Sequence, residues 1–203
     1  MTKHTPPEQM RAKLFDAFSG LMQKKTYESI TTRAIAEEAG VSYSALYTYF
    51  GSKEDFLLAY CEASPFLKGD AFLDALKELP LEEAQGMTVG NLAAFITTVT
   101  LEAATGRAAM VADLNMAALA MRNENVRERY SEMLKVWLKS IEEAVVYCRI
   151  PTDSVAATAQ LVESLAVGLG FNVAVFGESW DADALMKLLR NEKRHDGCDC
   201  GEL

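Results

Sequence analysis

Apolar residues recur along this chain with the period of an α-helix rather than that of a β-strand. From residue 8 to residue 25 they fall on one helical face, at Met10, Leu14, Phe15, Ala17, Phe18, Leu21 and Met22. Proline and glycine are sparse, and alternation of β-branched residues is almost absent. The pattern therefore predicts an all-α protein.

Residues 31–56, TTRAIAEEAGVSYSALYTYFGSKEDF, predict two short helices joined by a tight turn. Thr31 or Thr32 can cap the first helix and Ser42 the second. Between them Gly40 supplies the left-handed backbone conformation that a residue with a β-carbon resists. This is the spacing of a helix-turn-helix motif.

Longer helices are predicted in the rest of the chain. Ser52 and Asp55 indicate a capping box for a linking helix that ends at Ser64 and Pro65. The helices predicted beyond it cover residues 66–79, 88–105, 107–122, 125–149 and 152–176, followed by a short one at 181–190 and a polar tail.

The segment LAVGLGFNVAVF, which begins at Leu165, has almost no polar face. A helix of this kind must be buried on all sides, which in so small a domain predicts a partner subunit. The apolar run from Leu165 to Gly177 is interpreted as too short to span a bilayer. No apolar segment of a signal peptide follows residues 1–7, so a soluble cytoplasmic protein is expected.

Charge and cysteine content refine this picture. The net charge is −9, but residues 1–60 hold seven basic and seven acidic side chains, so the excess of acid lies in the remainder. An acidic surface argues against a polyanionic partner, and here the argument applies only to the second part. Cys61 and Cys148 lie in apolar helical patterns, which favours buried free thiols in a reducing compartment.

The second motif helix carries the candidate chemistry. Leu46 is predicted to face the core, which turns four hydroxyl-bearing side chains outward: Tyr43, Ser44, Tyr47 and Thr48. Such hydroxyls can bond base edges or phosphates in a DNA major groove without a formal charge. Lys53, in the first turn of the next helix, and Arg33 add positive charge. Phe50 is expected in the core.

The elements IA-x-x-AGVS, LY-x-YF and SKE stand in register within this stretch, which closely resembles the DNA-binding segment of TetR-family (tetracycline-repressor-like) transcriptional regulators. The resemblance covers about residues 8–60. It implies a homodimeric, ligand-responsive regulator, expected to be a repressor, that binds a near-palindromic operator. The residues it assigns to DNA are Thr32, Arg33, Ser42, Tyr43, Ser44, Ala45, Tyr47, Thr48, Tyr49 and Lys53. Many members have Gly-Thr where this chain has Ser44 and Ala45, so a contact there is in question.

The resemblance also implies the organisation of the chain. Residues 1–52 are expected to form the helix-turn-helix domain, with a linking helix at about 52–63. Residues 64–190 are expected to form a larger helical domain for effector binding and dimerisation. The tail, 191–203, is predicted to be disordered.

A small, largely apolar effector is expected in the second domain. Two amides among apolar neighbours, Asn115 and Asn172, need a partner, which can be a ligand, a neighbouring helix or a dimer mate. The remaining candidates are equally compatible with an ordinary core: Phe95, Met110, Leu114, Met116, Trp137 and Phe171.

Other functions have weaker support. The two histidines lie near the termini, and no phosphate-binding or dinucleotide-binding fingerprint occurs, so neither an enzyme nor a cofactor is expected. Glu192 and His195 form a single metal-helix pair where such sites need two. His195, Cys198 and Cys200 can offer three ligands to a soft metal, although a disordered tail explains them as well. The alternative to a regulator is a helical metal-binding or small-molecule-binding protein with a vestigial DNA-binding segment.

Overall fold

The structure, a computed structural model, describes residues 7–63, 70–102 and 106–176. These residues form ten α-helices and one 3-10 turn (Tyr27–Ser29), with no strand among them. The prediction of an all-α protein is confirmed. The helices are α1 (Pro7–Met22), α2 (Thr32–Glu38), α3 (Tyr43–Phe50), α4 (Lys53–Ala63), α5 (Asp70–Glu78), α6 (Leu81–Gln85), α7 (Val89–Glu102), α8 (Gly106–Ala120), α9 (Glu124–Tyr147) and α10 (Val155–Phe176).

Helices α1–α4 form a unit that we call the head, and helices α5–α10 form the body. The core of the head consists of aromatic and aliphatic side chains, including Phe18 and Phe56, which have no exposed surface. Their rings make an edge-to-face contact at 5.3 Å between centroids. Such contacts stabilise the core beyond the burial of apolar area.

The head packs directly on the body. Six consecutive residues of α4, from Phe56 to Cys61, are buried. Because a helix exposed on one side cannot bury six consecutive residues, α4 must be covered from several directions. Its neighbours include α8 and α9, whose Met116 and Met133 join the same core cluster as the head. The linking helix is therefore part of one continuous core with α8 and α9.

A second core cluster holds the rest of the body together. Helix α10 packs against α7 and α9, with Ala159 and Val162 fully buried. The hydroxyl of Thr97 in α7 donates a hydrogen bond of 3.1 Å to the carbonyl of Ala166 in α10. An added β-carbon at Gly170 would lie 2.4 Å from the Met110 methyl group, so α8 and α10 approach closely at this glycine.

Several boundaries differ from those predicted. Helix α6 was not predicted, and α10 begins at Val155 rather than at residue 152. The whole of α10, which contains most of the apolar run, is by length and composition long and apolar enough to cross a membrane, and 28% of its most apolar window is buried. The predicted break at 64–65, the helix at 181–190 and the tail lie outside the described residues.

Candidate nucleic-acid interface

The turn between α2 and α3 has the geometry predicted for a helix-turn-helix motif. Gly40 has a φ of 63°, and the next amide, that of Val41, donates a 2.9 Å hydrogen bond back to the carbonyl of Ala36. Ile35 of α2 and Leu46 of α3 are completely buried between the two helices. The crossing of the motif helices is therefore fixed by a left-handed glycine and a small apolar core.

Hydroxyl groups cap two helices of the head. Thr31, rather than Thr32, caps α2, because its hydroxyl oxygen accepts a hydrogen bond of 3.1 Å from the amide of Ala34. The predicted capping box at the start of α4 forms only in part, because the Ser52 amide donates to the carbonyl of Phe50 rather than to the Asp55 side chain. There the Ser52 hydroxyl accepts from the Asp55 amide at 2.9 Å and donates to the Asp55 carboxylate at 2.6 Å.

Ser42 occupies the capping position of α3, but its hydroxyl makes no capping bond. It lies 3.1 Å from the hydroxyl of Ser44, the second residue of the same helix. Both side chains are exposed. The start of α3 therefore presents two hydroxyl groups and the free amides of a helix N-terminus to the outside, which suits a phosphate or a base edge.

The exposed face of α3 contains the four residues that were predicted to point away from the core. Tyr43 and Tyr47 are 46% and 43% exposed, and their rings meet edge to face at 5.1 Å. Ser44 and Thr48 are exposed beside them, although the Thr48 hydroxyl donates to the carbonyl of Ser44 at 2.9 Å. The predicted orientation of this helix is confirmed.

Side chains of α2 support this tyrosine pair. The guanidinium of Arg33 lies over the Tyr43 ring, 5.8 Å from its centroid. The hydroxyl of Thr32 lies 3.5 Å from that of Tyr47, and hydrogen bonds from Thr32 and then Tyr43 lower the pKa of Tyr47. Thr32 itself is buried at 9% exposure, so its side chain is placed behind the tyrosines rather than at the surface.

Lys53 also differs from its predicted setting. Its ammonium donates a 2.8 Å hydrogen bond to the carbonyl of Tyr27 and lies 4.0 Å from the centroid of that ring. Burial lowers the pKa of Lys53. An ammonium has three donors, so Lys53 can still bind a phosphate. Its contacts with Tyr27 show that it also has a structural role within the head. Ala45 and Tyr49 are half-buried, and Phe50 is buried, as expected of a core residue.

Two contacts of the head have no signal in the sequence pattern. Tyr27 meets Lys53 across 26 residues, and Arg129 of α9 forms an ion pair with Asp55 of α4 across 74 residues. Tyr27 and Arg129 both lie outside the motif stretch, residues 31–56. Sequence reasoning identifies which residues are exposed on a helix, but not which distant charge lies opposite them.

A buried polar pair lies where α8 meets α9. The hydroxyl of Tyr130 donates a hydrogen bond of 2.8 Å to Asp113, which is 8% exposed. Burial raises the pKa of Asp113 to about 6, against the lowering effect of the Tyr130 hydrogen bond, and Glu163 of α10 raises it further. Burial and the nearby Asp113 also raise the pKa of the Cys61 thiol in α4.

The residues predicted for the effector site are divided between the two core clusters and the surface. Met116 belongs to the core cluster of the head, whereas Trp137 belongs to that of the body, where it meets Phe72 edge to face. Met110 is buried, while Leu114 and Phe171 are exposed.

The two predicted amides are partnered within their own helices. Asn115 donates to the carbonyl of Val111 at 2.7 Å, and Asn172 donates to that of Gly168 at 2.9 Å. A ligand is therefore not needed to satisfy their amide donors.

Two of the open grooves of the body are lined by residues that the structure describes. One, of about 500 Å³, is lined by Leu73, Lys77, Lys139, Glu142, Glu143, Val146, Tyr147 and Val155. The other, of about 520 Å³, is lined by Glu82, Glu83, Gly86, Met87, Asn91, Ala94, Phe95 and Thr98. Of the predicted effector residues, only Phe95 lines either groove.

The candidate metal ligands Glu192, His195, Cys198 and Cys200 lie outside the described residues. Within residues 7–63, 70–102 and 106–176, no group of three or more His, Cys, Asp or Glu side chains could hold a metal ion.

A compact helix-turn-helix head with an exposed hydroxyl-rich second helix, joined to an all-helical body, defines a class of DNA-binding regulators. Residues 14–60 match the family of bacterial regulatory proteins named tetR. A comparison with curated protein sequences finds no match.

Solved structures share the fold of the chain. FadR from Bacillus subtilis, in complex with stearoyl-CoA, has a TM-score of 0.65 at 17% identity and covers 88% of this chain and 95% of its own. A protein from Saccharomonospora viridis, described as a transcriptional regulator and in complex with choline, has a TM-score of 0.67 at 19% identity, with coverages of 93% and 97%. The multidrug binding protein EbrR, complexed with imidazole, has a TM-score of 0.58 at 20% identity, with coverages of 88% and 92%.

Residues 14–60 therefore form a DNA-binding domain of the tetR family, and the chain as a whole shares the all-helical fold of solved transcriptional regulators. Regulators of this family bind DNA and small-molecule ligands, and they are soluble, generally cytoplasmic proteins.

Proposed function

We propose that this regulator is a homodimeric cytoplasmic repressor that binds a near-palindromic operator and leaves it when a small, largely apolar effector binds. The observation that carries the proposal is the exposed face of α3, where Tyr43 and Tyr47 lie beside Arg33 on a rigid head. Tyrosine hydroxyls and one guanidinium can bind phosphates and base edges where an acidic chain offers few cations.

The proposed DNA contacts divide into two kinds. Tyr43 and Ser44, near the N-terminus of α3, are proposed to read base edges, because the first turns of a recognition helix enter the major groove. Lys53 and the hydroxyl of Tyr47 are proposed to bind phosphate. Because Lys53 also bonds the carbonyl of Tyr27, it links the phosphate contact to the turn before α2.

The proposed dimer interface lies on α9 and α10. A stripe on α10 repeats with steps of four and three residues, the spacing of a helix-helix seam, and all its members are exposed except the half-buried Gly168: Ala157, Leu161, Ser164, Gly168, Phe171 and Val175. We call this stripe the α10 seam. Leu161 and Val175 are 52% and 58% exposed, which is unfavourable for an isolated chain in water.

Two further features support this interface. An added β-carbon at Gly168 would have no atom within 4 Å, so space is open for a second helix beside this glycine. On α9 a parallel stripe includes Val136 and Val146, which are 61% and 63% exposed. Pairing α9 and α10 with their symmetry mates would bury both stripes in a four-helix interface.

The proposed effector acts by differential affinity. A ligand that binds both conformations equally shifts nothing, so the effector must bind the non-operator conformation more tightly. FadR binds stearoyl-CoA and EbrR binds imidazole, which supports a body able to hold small molecules. Helix α4, buried against α8 and α9, is the proposed lever between body and head.

Selection of bound duplexes from a random DNA pool tests operator recognition. Near-palindromic sequences should be recovered, with half-sites about one helical turn or somewhat more apart. Tyr43→Ala and Ser44→Ala should change which sequence is preferred, whereas Lys53→Ala should weaken all sequences about equally and lower the salt slope by roughly one unit. If Lys53→Ala alone changes the preferred sequence, the placement of α3 in the groove is wrong.

Analytical sedimentation tests the interface. Gly168→Glu places a charge in the α10 seam and should give a folded monomer, since an unpaired charge cannot be buried between helices. Ala118→Glu, at an exposed position of α8, is the matched control and should stay dimeric. Dimers of equal strength in both variants would locate the interface elsewhere.

A screen of small molecules tests effector binding. An effector should raise the melting temperature and weaken operator binding together, because both follow from one differential affinity. Loss of both effects in Phe95→Ala alone would assign the effector to the groove between α6 and α7. Loss in Tyr147→Ala alone would assign it to the groove beside α5 and α9. If no apolar compound produces both effects, the proposed effector class is wrong.

A further inference from the structure

The first turns of α9 contact the head and the body at adjacent positions. Arg129 forms an ion pair with Asp55 of α4, and the next residue, Tyr130, donates a hydrogen bond to Asp113 of α8. One turn later, Met133 is buried in the core cluster shared with the head. The start of α9 therefore contacts both α4 and α8, and these contacts fix its position relative to the two helices.

Asp55 pairs with Arg129 and at the same time keeps its hydrogen bond to Ser52 at the start of α4. Its Oδ2 atom accepts the hydrogen bond of the Ser52 hydroxyl at 2.6 Å, and its Oδ1 atom faces Arg129. The hydrogen bonds of Ser52 and then Arg129 lower the pKa of Asp55, so the carboxylate is charged at neutral pH. Arg129 thus attaches to the capped beginning of α4, directly after the recognition helix α3.

The same helix carries half of the proposed dimer interface. Val136 follows Arg129 by seven residues, two turns or roughly 10 Å along α9. It lies on the same exposed stripe, which continues to Val146. A side chain at the start of this stripe therefore connects the interface to the head through a single rigid helix.

We propose that Arg129 is a positioning residue that fixes the angle of the head to the dimer interface and so sets the separation of the two heads on DNA. The inference rests on the proposed homodimer. Arg129 and Asp55 are 47% and 39% exposed at their side chains, so the pair contributes little to folding. The apolar contacts of α4 hold the head in place, and the ion pair selects one orientation among those that these contacts permit.

The test compares operators with identical half-sites whose spacing is changed by one or two base pairs. Wild-type protein should prefer one spacing. Arg129→Gln should reduce that preference by about two- to fivefold, the range expected for a partly exposed pair, while binding to a duplex with one half-site stays unchanged. Rising salt should reduce the wild-type preference toward that of the variant, because salt screens the pair.

A matched control is available on the same helix. Arg127→Gln removes the same charge two residues away, but Arg127 pairs with Glu124 within α9, so its spacing profile should equal that of wild type. Arg129→Lys keeps the charge and should restore part of the preference.

Identical spacing profiles for wild type and Arg129→Gln would overturn the inference while leaving the proposed function intact. Equal weakening on one half-site and on the full operator would also overturn it, since Arg129 would then act on the fold or DNA contact of the head itself. A wild-type protein that sediments as a monomer would refute the proposed homodimer, and this inference with it.

Discussion

The head buries its large apolar side chains in a core, whereas the α10 seam exposes them at the surface. In the head, Phe18 has no exposed surface and meets the Tyr60 ring edge to face at 4.9 Å. In the α10 seam, Phe171 is 44% exposed. The apolar core of the head is buried within one chain, whereas the apolar side chains of the α10 seam would be buried only by a partner subunit. The comparison separates the side chains that fold the chain from those proposed to assemble it.

The head and the body also differ in the environment of their carboxylates. Asp55 of the head is bonded by Ser52, three residues away, and its pKa is lowered. Asp113, in the body, is buried and its pKa is raised. A carboxylate at a helix start is stabilised in its charged form, whereas one buried between helices is stabilised in its neutral form.

The same substitution in both regions should give the sharpest contrast. Phe18→Ala should lower the free energy of unfolding by about 3–5 kcal/mol, since it leaves a cavity in a closed core. Phe171→Ala should change the unfolding of a monomeric background by less than about 0.5 kcal/mol and weaken dimerisation instead. Urea denaturation and sedimentation measure the two quantities. Comparable losses of folding stability in both variants would break the comparison.

Asp113→Asn tests the buried carboxylate. Because the folded pKa is raised, the contribution of Asp113 to stability is fully present below its unfolded pKa near 4 and is lost as the pH rises through about 6. The variant, which cannot ionise, should therefore be more stable than wild type by up to about 3 kcal/mol above pH 7 and nearly equal to it below pH 4. Urea midpoints from pH 4 to pH 8 measure this difference.

Asp55→Asn is the opposing control. A lowered folded pKa gives stability that is present above the unfolded pKa and is lost as the pH falls through the folded value. Removing Asp55 should therefore reduce stability at neutral pH, and this difference should shrink in acid. If both aspartates shift the pH profile in the same direction, the contrast between their environments is incorrect.

The glycines of α10 separate inward from outward packing within one helix. Gly170→Ala forces the Met110 methyl group to move and should lower the free energy of unfolding by about 1 kcal/mol, after the gain in helix propensity is deducted. Gly168→Ala meets no atom within 4 Å and should leave the fold intact while weakening dimerisation. Thermal denaturation should show the larger loss of stability in Gly170→Ala, and sedimentation should show the larger loss of dimerisation in Gly168→Ala. If one variant shows the larger loss in both measurements, the assignment of Gly170 to the fold and Gly168 to the dimer interface is wrong.

Tyr47→Phe is the smallest chemical change among these variants. It removes only the hydroxyl that lies 3.5 Å from Thr32 and is proposed to reach a phosphate. Binding should weaken by about 0.5–1.5 kcal/mol on all sequences alike, with folding unchanged. Titration of cognate and scrambled duplexes measures this, and a loss restricted to the cognate operator would instead make Tyr47 a base-reading residue.

The division of the chain at residues 52 and 64, and the individual DNA contacts, stay predictions. The structure does qualify two of those contacts, since Thr32 is buried and Lys53 is already bonded to Tyr27. Both differences have one cause. A helical period places a residue on a face, but whether that face is covered depends on elements elsewhere in the chain.

The sequence by itself determined the helices of the head, the turn at Gly40, the N-terminal cap at Ser52 and the outward face of α3. Each of these depends on residues within about four positions of one another, where backbone geometry and local hydrogen bonds decide the outcome. Only the tertiary structure decided that Arg129 meets Asp55 and that Asp113 is buried against Tyr130. Those contacts join residues 74 and 17 positions apart, and they follow from how helices pack, which no local pattern specifies.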